Sequence, residues 1–483
     1  MQLKDKVVSG VAWSAAEKIG SMLLQMVVSF VLAGLLVPDD YGTMAVMVVF
    51  ATLSLLIVDS GFSQALIRKA EPTQSDYTSV FVFNLVVSWV LYALLVAGSF
   101  PLAAYYDQPE MTRIAPVLFL LLPVNAMCVI QNTILTRTFA FRKLSTITFL
   151  SSLVAGVVSI TVAVLGGGLW ALVCQRLLTL VVKAILLWWW GDWRPRGGWS
   201  MGPLREMFPY SSRLLATDLL NGIYNNVSSL FIGRMYTLQQ LGYFSQAQKL
   251  KDLPVTSTVQ AVQNVTFPAL ASIRDDERKF AESYRQVLMV MAFVMIPMMA
   301  GLVAVADDMF ALIGDKWRPT VPYFRVLCLT GITQPIAMVA YNILKVRSNG
   351  RIIFKLEIVK KLIMTPILAL TIPMSVEAVV WGLVAMSAIE MAINFGATLR
   401  FTSVAVGRVL RDLLAPLAVA AVMCVAVYAL SGAVQMWPIA LRLVVEVATG
   451  VAIYAGGAWL LRLEGMREMV RIVRGLLGRN NNQ

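Results

Sequence analysis

About fourteen apolar runs, each near the roughly 20 residues that a helix needs to cross hydrocarbon, follow one another along this chain with only short polar links between them. They fall at 8–36, 41–62, 79–100, 113–135, 146–165, 169–190, 208–236, 241–270, 284–306, 321–344, 352–372, 377–399, 409–430 and 438–463. A backbone in hydrocarbon must satisfy its own hydrogen bonds, so each run is expected to be a helix. With 58% hydrophobic and 14% charged residues, the 483-residue chain is excluded from the ordinary soluble class. It reads as an all-α polytopic membrane protein.

Charge sets the expected orientation. The chain has 40 Lys and Arg against 27 Asp and Glu, and the bases gather in alternate links. One set holds Lys4 and Lys6, Arg68 and Lys69, Arg142 and Lys143, Arg194 and Arg196, Arg274 and Arg278, Arg347 and Arg351, and Arg400 and Arg408; the other set is poor in base and carries Asp39, Asp40, Asp107, Asp307, Asp308 and Asp315. Basic links stay on the cytoplasmic side, so both termini are expected there, with an even number of spans. Bases dispersed in this way form no single patch, which argues against a nucleic-acid partner. The segment from Arg462 alternates arginine with apolar residues and reads as a basic amphipathic helix on the anionic inner leaflet. No removable signal peptide is expected at the N-terminus.

Two neighbouring runs are unlike the rest. The run 208–236 carries Ser211, Arg213, Asp218, Asn221, Asn225, Asn226, Ser228 and Ser229, and 241–270 carries Gln246, Lys249, Lys251, Asp252, Gln260, Gln263 and Asn264. Polar side chains in a membrane helix are costly, so they face a bundle interior or a water-filled cavity and mark a pathway. Asp218, Asn221, Asn225 and Ser229 share one helical face. The first run repeats that stripe as Lys18, Ser21, Gln25 and Ser29. Each stripe is followed by a polar turn ending in glycine, at Gly42 and Gly242. Gly168-Leu169-Trp170 likewise resembles Val379-Val380-Trp381, so the chain reads as two parallel repeats related by an axis along the membrane normal. The expected organisation is a six-helix lobe over 1–191, a second over 192–400, two further helices over 401–463 and a basic tail over 464–483.

No enzyme signature is present: there is no P-loop, no H-E-x-x-H, no C-x-x-C and no dinucleotide fingerprint. The chain has no histidine, and its four cysteines sit singly in apolar runs as small hydrophobes, so no metal site and no cofactor are expected. Two facing bundles with polar inner faces fit alternating-access transport. Cations outnumber acids along the spans, which suits an anionic cargo such as a phosphate or pyrophosphate. The residues expected to meet it are Lys18, Ser21, Gln25, Arg213, Asn221, Asn225, Lys249 and Gln263. Glu17, Asp59 and Asp218 are the acids expected to couple an ion, with simple structural pairing as the alternative for each; Lys249 and Asp252 stand three apart and can neutralise each other. Lys183, Arg234 and Arg285 lie near span ends and read as snorkelling side chains.

Several stretches resemble a known family. Val58-Asp59-Ser60-Gly61-Phe62-Ser63-Gln64-Ala65, Phe267-Pro268-Ala269-Leu270 and Gly314-Asp315-Lys316-Trp317 are similar to the Wzx-type polysaccharide flippases, in the colanic-acid and teichuronic-acid branch of the multidrug/oligosaccharidyl-lipid/polysaccharide exporter superfamily. The resemblance implies two lobes in a V like the multidrug exporters, and a bacterial inner-membrane location. It also implies translocation of undecaprenyl-pyrophosphate-linked oligosaccharide to the periplasmic leaflet for surface polysaccharide. Its partners would be the lipid-linked substrate, membrane lipids, and a polysaccharide polymerase with its chain-length machinery. Three other readings stand beside it: a multidrug/cation antiporter of the same fold, a non-transporting scaffold for polysaccharide assembly, and a membrane glycosyltransferase. The antiporter calls for an acidic, aromatic-lined cavity, and the glycosyltransferase for a carboxylate-bearing loop that the sequence does not offer.

Overall fold

The computed structural model describes residues 20–272, 276–347, 350–402, 406–469 and 471, without side chains at 260–272, 345–347, 350–351, 354, 406 and 410. Helices account for nearly all of it, and no strand occurs among the described residues. In chain order they are α1 (Gly20–Leu35), α2 (Pro38–Asp59), α3 (Phe62–Arg68), α4 (Gln74–Tyr105), α5 (Glu110–Leu118), α6 (Leu121–Arg137), α7 (Phe141–Val164), α8 (Leu169–Trp190) and α9 (Met201–Met235). There follow α10 (Leu238–Ser272), α11 (Glu277–Ala304), α12 (Ala306–Ile313), α13 (Thr320–Arg347), α14 (Gly350–Thr371), α15 (Val376–Thr398), α16 (Val406–Ala433) and α17 (Ile439–Leu460). Within the described residues, each of the apolar runs read from the sequence is thus largely helical, the first of them from Gly20 onward. Ten helices among the described residues are long and apolar enough to cross a membrane, and α9, α10 and α14 are not among them. This is a multi-pass membrane protein.

Local chemistry sets the helix ends. At α4, Thr73 Oγ1 accepts from the Asp76 amide at 3.2 Å while Asp76 accepts from the Thr73 amide at 2.7 Å, a reciprocal cap that satisfies two orphan donors. Asp276 and Ser375 cap α11 and α15 by accepting from the amides of Lys279 and Ala378. Ser60 and Gly61 take left-handed conformations (φ 49° and 70°) and separate α2 from α3. The run 113–135, expected as one span, is broken between α5 and α6. Pro123 has no amide to give the Phe119 carbonyl; the Leu122 amide takes that carbonyl instead, in a tighter turn.

The chain forms two compact units, Met1–Ser245 and Gln246–Gln483, and the division falls within α10. In the first, α2 is central and packs on α4, α6, α8 and α9. Its core gathers Phe62, Leu66, Phe81, Ile130, Leu204 and Met207 around Trp193. The link after α8 is tied in, because Gln131 donates to the Trp193 carbonyl at 2.9 Å and Trp193 donates its indole N–H to Gln74 at 2.9 Å. In the second unit, α13 packs on α11 and α15, and α16 lies between α11 and α17.

Candidate functional site

The helix α9 belongs by packing to the first unit. It runs antiparallel to α2 and approaches it through glycines: Gly222 faces Leu53 and Leu56, and Gly233 faces Val46. One face of α9 is buried at both ends, where Met207, Ser211, Ser228 and Ile232 are each under 9% exposed. Between those ends the same face opens. Asp218 and Asn225 are exposed, and Asn221 and Ser229 are half-buried. The helix is 35 residues long, about 52 Å at 1.5 Å per residue, so this opening lies near its midpoint.

Its repeat counterpart shows the same pattern. On α1, Ser21 and Ser29 are buried while Gln25 between them is exposed. Gln25 and Asn225 stand at matching places 200 positions apart, both are amides, and both are exposed, Gln25 between buried serines and Asn225 beside the exposed Asp218 and the half-buried Asn221 and Ser229. Of the residues expected at the site, the fold therefore groups Asp218, Asn221 and Asn225 on one face of α9 and Ser21 and Gln25 on one face of α1. Arg213 lies elsewhere: it is exposed on the side of α9 that carries Leu220 and Phe231. Asp59 accepts a hydrogen bond from Ser63 across the α2–α3 break. Lys249 is half-buried on α10. Asp252 pairs with Lys251 at 2.5 Å, and Lys251 also donates to Gln334 at 3.3 Å. Arg285, read as snorkelling, instead binds Asp412 through two nitrogens and reaches Glu464 at 2.8 Å. Glu17 and Lys18, the segment before Gly20, and the tail beyond residue 471 lie outside the described residues, as does the side chain of Gln263.

Two features were not read from the sequence. In the second unit, α11, α16, α17 and the short helical segment at 464–469 border a cavity of about 880 Å³ lined by Phe293, Met298, Met423, Val451, Tyr454 and Met466. These residues lie on helices far apart in the chain, so no local pattern announces it. The second is a polar ladder on α15. Ser387 bonds Thr333 at 2.5 Å, Glu390 accepts from Lys360 at 3.2 Å, Asn394 donates to the Ala337 carbonyl at 3.2 Å, and Thr398 meets Tyr284 at 3.3 Å. Its spacing matches that of the α9 stripe, and the same periodicity test finds it.

Fold and site together define a polytopic α-helical membrane protein with polar positions opened at mid-helix. Residues 31–322 match the family described as polysaccharide biosynthesis protein, and the chain belongs to that family. It is similar to the succinoglycan biosynthesis transport protein ExoT of Rhizobium meliloti (strain 1021), at 26% identity over 78% of this chain and 76% of that one. It is also similar to the teichuronic acid biosynthesis protein TuaB of Bacillus subtilis (strain 168), at 24% identity over 69% of each. The lipid II flippase MurJ in its inward closed conformation shares the fold, with a TM-score of 0.68 at 12% identity over 93% of this chain and 98% of that one.

Proposed function

We infer that the chain carries a lipid-linked oligosaccharide across the bacterial inner membrane, from the cytoplasmic to the periplasmic leaflet, by alternating access. The observation that carries this reading is the pair of exposed amides, Gln25 and Asn225, at matching places on α1 and α9, Gln25 between two buried serines and Asn225 within the mid-helix opening of α9. Amides donate and accept, so they suit sugar hydroxyls and phosphate oxygens alike. A charged headgroup cannot enter hydrocarbon without partners, whereas a polar passage removes that barrier. The apolar cavity beside α17 suits the other half of such a molecule, its isoprenoid chain.

The reading includes fourteen spans with both termini cytoplasmic, which places α9, α10 and α14 in the membrane. It takes the repeats as 1–191 and 192–400, the helices of 401–463 as an addition, and 464–483 as the basic tail. Lys18, Ser21, Gln25, Arg213, Asn221, Asn225, Lys249 and Gln263 are its cargo-binding residues, and Glu17, Asp59 and Asp218 its ion-coupling candidates. A polymerase with its chain-length machinery would receive the product, and the chain itself performs no covalent chemistry. The names of the related proteins, which concern polysaccharide and lipid II, support a transporter of this substrate class.

The test is a deletion strain assayed for lipid-linked sugar. Accumulation on the cytoplasmic face, reversed by the intact gene, is the expected result. Unchanged lipid-linked sugar with surface polysaccharide lost points to the scaffold, and sensitivity to organic cations with polysaccharide intact points to the antiporter.

A further inference from the structure

Within the second unit, Lys360 is a lysine almost without solvent contact, 2% exposed, on a helix whose other side shows Ile358, Val359 and Leu362 outward. Lysine is rarely buried to this degree without charged partners. Lys360 has two: Glu357, three residues earlier on α14, and Glu390 on α15 at 3.2 Å. Tyr341 of α13 adds its ring face, 5.2 Å from the ammonium. Lys361, half-buried next to Lys360, lies within electrostatic reach of both carboxylates. Among the described residues, those are the titratable and charged groups that face Glu390 from α13 and α14, the helices with which α15 packs most; Tyr284 of α11 meets α15 two turns further on, at Thr398.

The two carboxylates are not equivalent. Glu357 is 14% exposed and Glu390 is 38% exposed, so a species arriving from outside the helix packing reaches Glu390 first. Glu390 is also the one titratable rung of its ladder, because Ser387, Asn394 and Thr398 bond through neutral groups. In the first repeat the equivalent helix α8 has no carboxylate, and register from Trp170 to Trp381 sets Thr179 opposite Glu390.

We propose that Glu390, with Lys360 and Glu357, is a proton-coupling site that switches the tie between α14 and α15. With Glu390 ionised, Lys360 bridges the two helices through a charge-assisted bond, about twice as strong as a neutral one. A proton arriving at a Glu390 carboxylate oxygen neutralises it, and Lys360 turns to Glu357 on its own helix. The ammonium stays paired throughout, so no bare charge is left in the bilayer and the bridge opens at little cost. The neutral rungs hold α15 to α13 and α11 while the charged rung responds. A sodium ion would have to displace the ammonium already seated between the carboxylates, which favours the proton.

This site rests on the transport reading, and its test separates the two. The full chain in liposomes on a solid-supported membrane, stepped to lower pH without substrate, is expected to give a transient charge displacement. Glu390→Gln is expected to abolish it, and Ser387→Ala, on a neutral rung, to keep it. Glu357→Gln leaves Lys360 to Glu390 alone and is expected to move the midpoint to lower pH, a shift that a purely structural pair would not produce. Displacement retained in Glu390→Gln overturns the proposal; so does a sodium step at constant pH that yields the same Glu390-dependent signal. In cells, a deletion that accumulates lipid-linked sugar and is fully complemented by Glu390→Gln refutes the coupling site and leaves the transport reading standing. A deletion without accumulation refutes the transport reading whatever the currents.

Discussion

Gly42 and Gly242 each lie against the first residue of the helix that carries the other. A methyl on Gly42 would stand 1.8 Å from the Leu238 carbonyl oxygen, and one on Gly242 would stand 1.9 Å from the Pro38 carbonyl oxygen. The two contacts are images of each other, glycine of α2 on the first residue of α10 and glycine of α10 on the first residue of α2. The duplicated turns thus meet about a local two-fold axis, at a spacing that only hydrogen at Cα permits. Either glycine-to-alanine change must separate the helix starts, at about 1–3 kcal/mol. Since both changes act on one spacing, the double variant is expected to cost less than the sum of the singles. Thermal unfolding of the four proteins in detergent measures this, and a Gly42→Ala protein as stable as the parent refutes the tight contact.

Lys69 joins two segments of the first unit. It reaches Asp76, the buried cap of α4, at 3.1 Å and the exposed Glu206 of α9 at 2.9 Å. Lys69→Met leaves Asp76 buried without its cation and is expected to cost about 3 kcal/mol. Glu206→Gln removes a solvent-screened partner and should cost under about 1 kcal/mol. The lysine pKa is raised, chiefly by the Glu206 hydrogen bond, partly offset by burial and aided by Asp76. A raised cationic pKa stabilises fully below the unfolded value and is lost only as pH climbs through the folded one. The melting difference between parent and Lys69→Met should therefore stay constant from mildly acidic to mildly alkaline pH. A difference that fades over that range shows that Lys69 is not the tie.

The repeat was legible because each half keeps a glycine at its turn, and the close approach of Gly42 to Leu238 and of Gly242 to Pro38 supplies the physical reason. Helix positions were legible for the same cause that makes membrane helices readable, the cost of an unsatisfied backbone in lipid. Pairing between distant helices was not. The sequence places α9 at the head of the second repeat, but nothing local says that Gly222 and Gly233 let it lie along α2. Arg213 shows a different failure, since 100° per residue sets it roughly 140° from Asp218 around the helix. The spacing of the α15 ladder is present in the sequence, but each rung is a single polar residue in an apolar run whose partner lies far along the chain, so its bonds are not. Asp252 stands three residues from Lys249, and the fold also brings the adjacent Lys251 to within 2.5 Å of it, a pairing that helical spacing does not announce.

Gln25 and Asn225 separate function from stability. Both are exposed, so Gln25→Leu and Asn225→Leu should leave the stability unchanged to within about 0.5 kcal/mol. If each donates or accepts one hydrogen bond to the moving headgroup, its loss costs about 1 kcal/mol, or roughly a five-fold slower export. Export rate in a complemented deletion strain, beside a melt of each purified protein, makes the comparison. Full export by both variants would remove the amides from the path.

Arg442 on α17 holds two buried carboxylates at once. It binds Asp308 of α12 through both Nε and a terminal nitrogen, and Glu446, one turn further along α17, lies 3.9 Å away. Asp308 and Glu446 are 3% and 1% exposed, so neither can turn to water when the guanidinium is removed. Arg442→Met is therefore expected to destabilise by about 3–5 kcal/mol, the range for a buried pair broken on one side. Adding Asp308→Leu and Glu446→Leu removes the stranded charges, and the triple variant should recover most of that loss, because apolar replacement of a buried ion cluster is close to neutral. A triple variant that melts as early as Arg442→Met would mean that the arginine stabilises through its own packing against α12, and that the carboxylates contribute nothing to the tie.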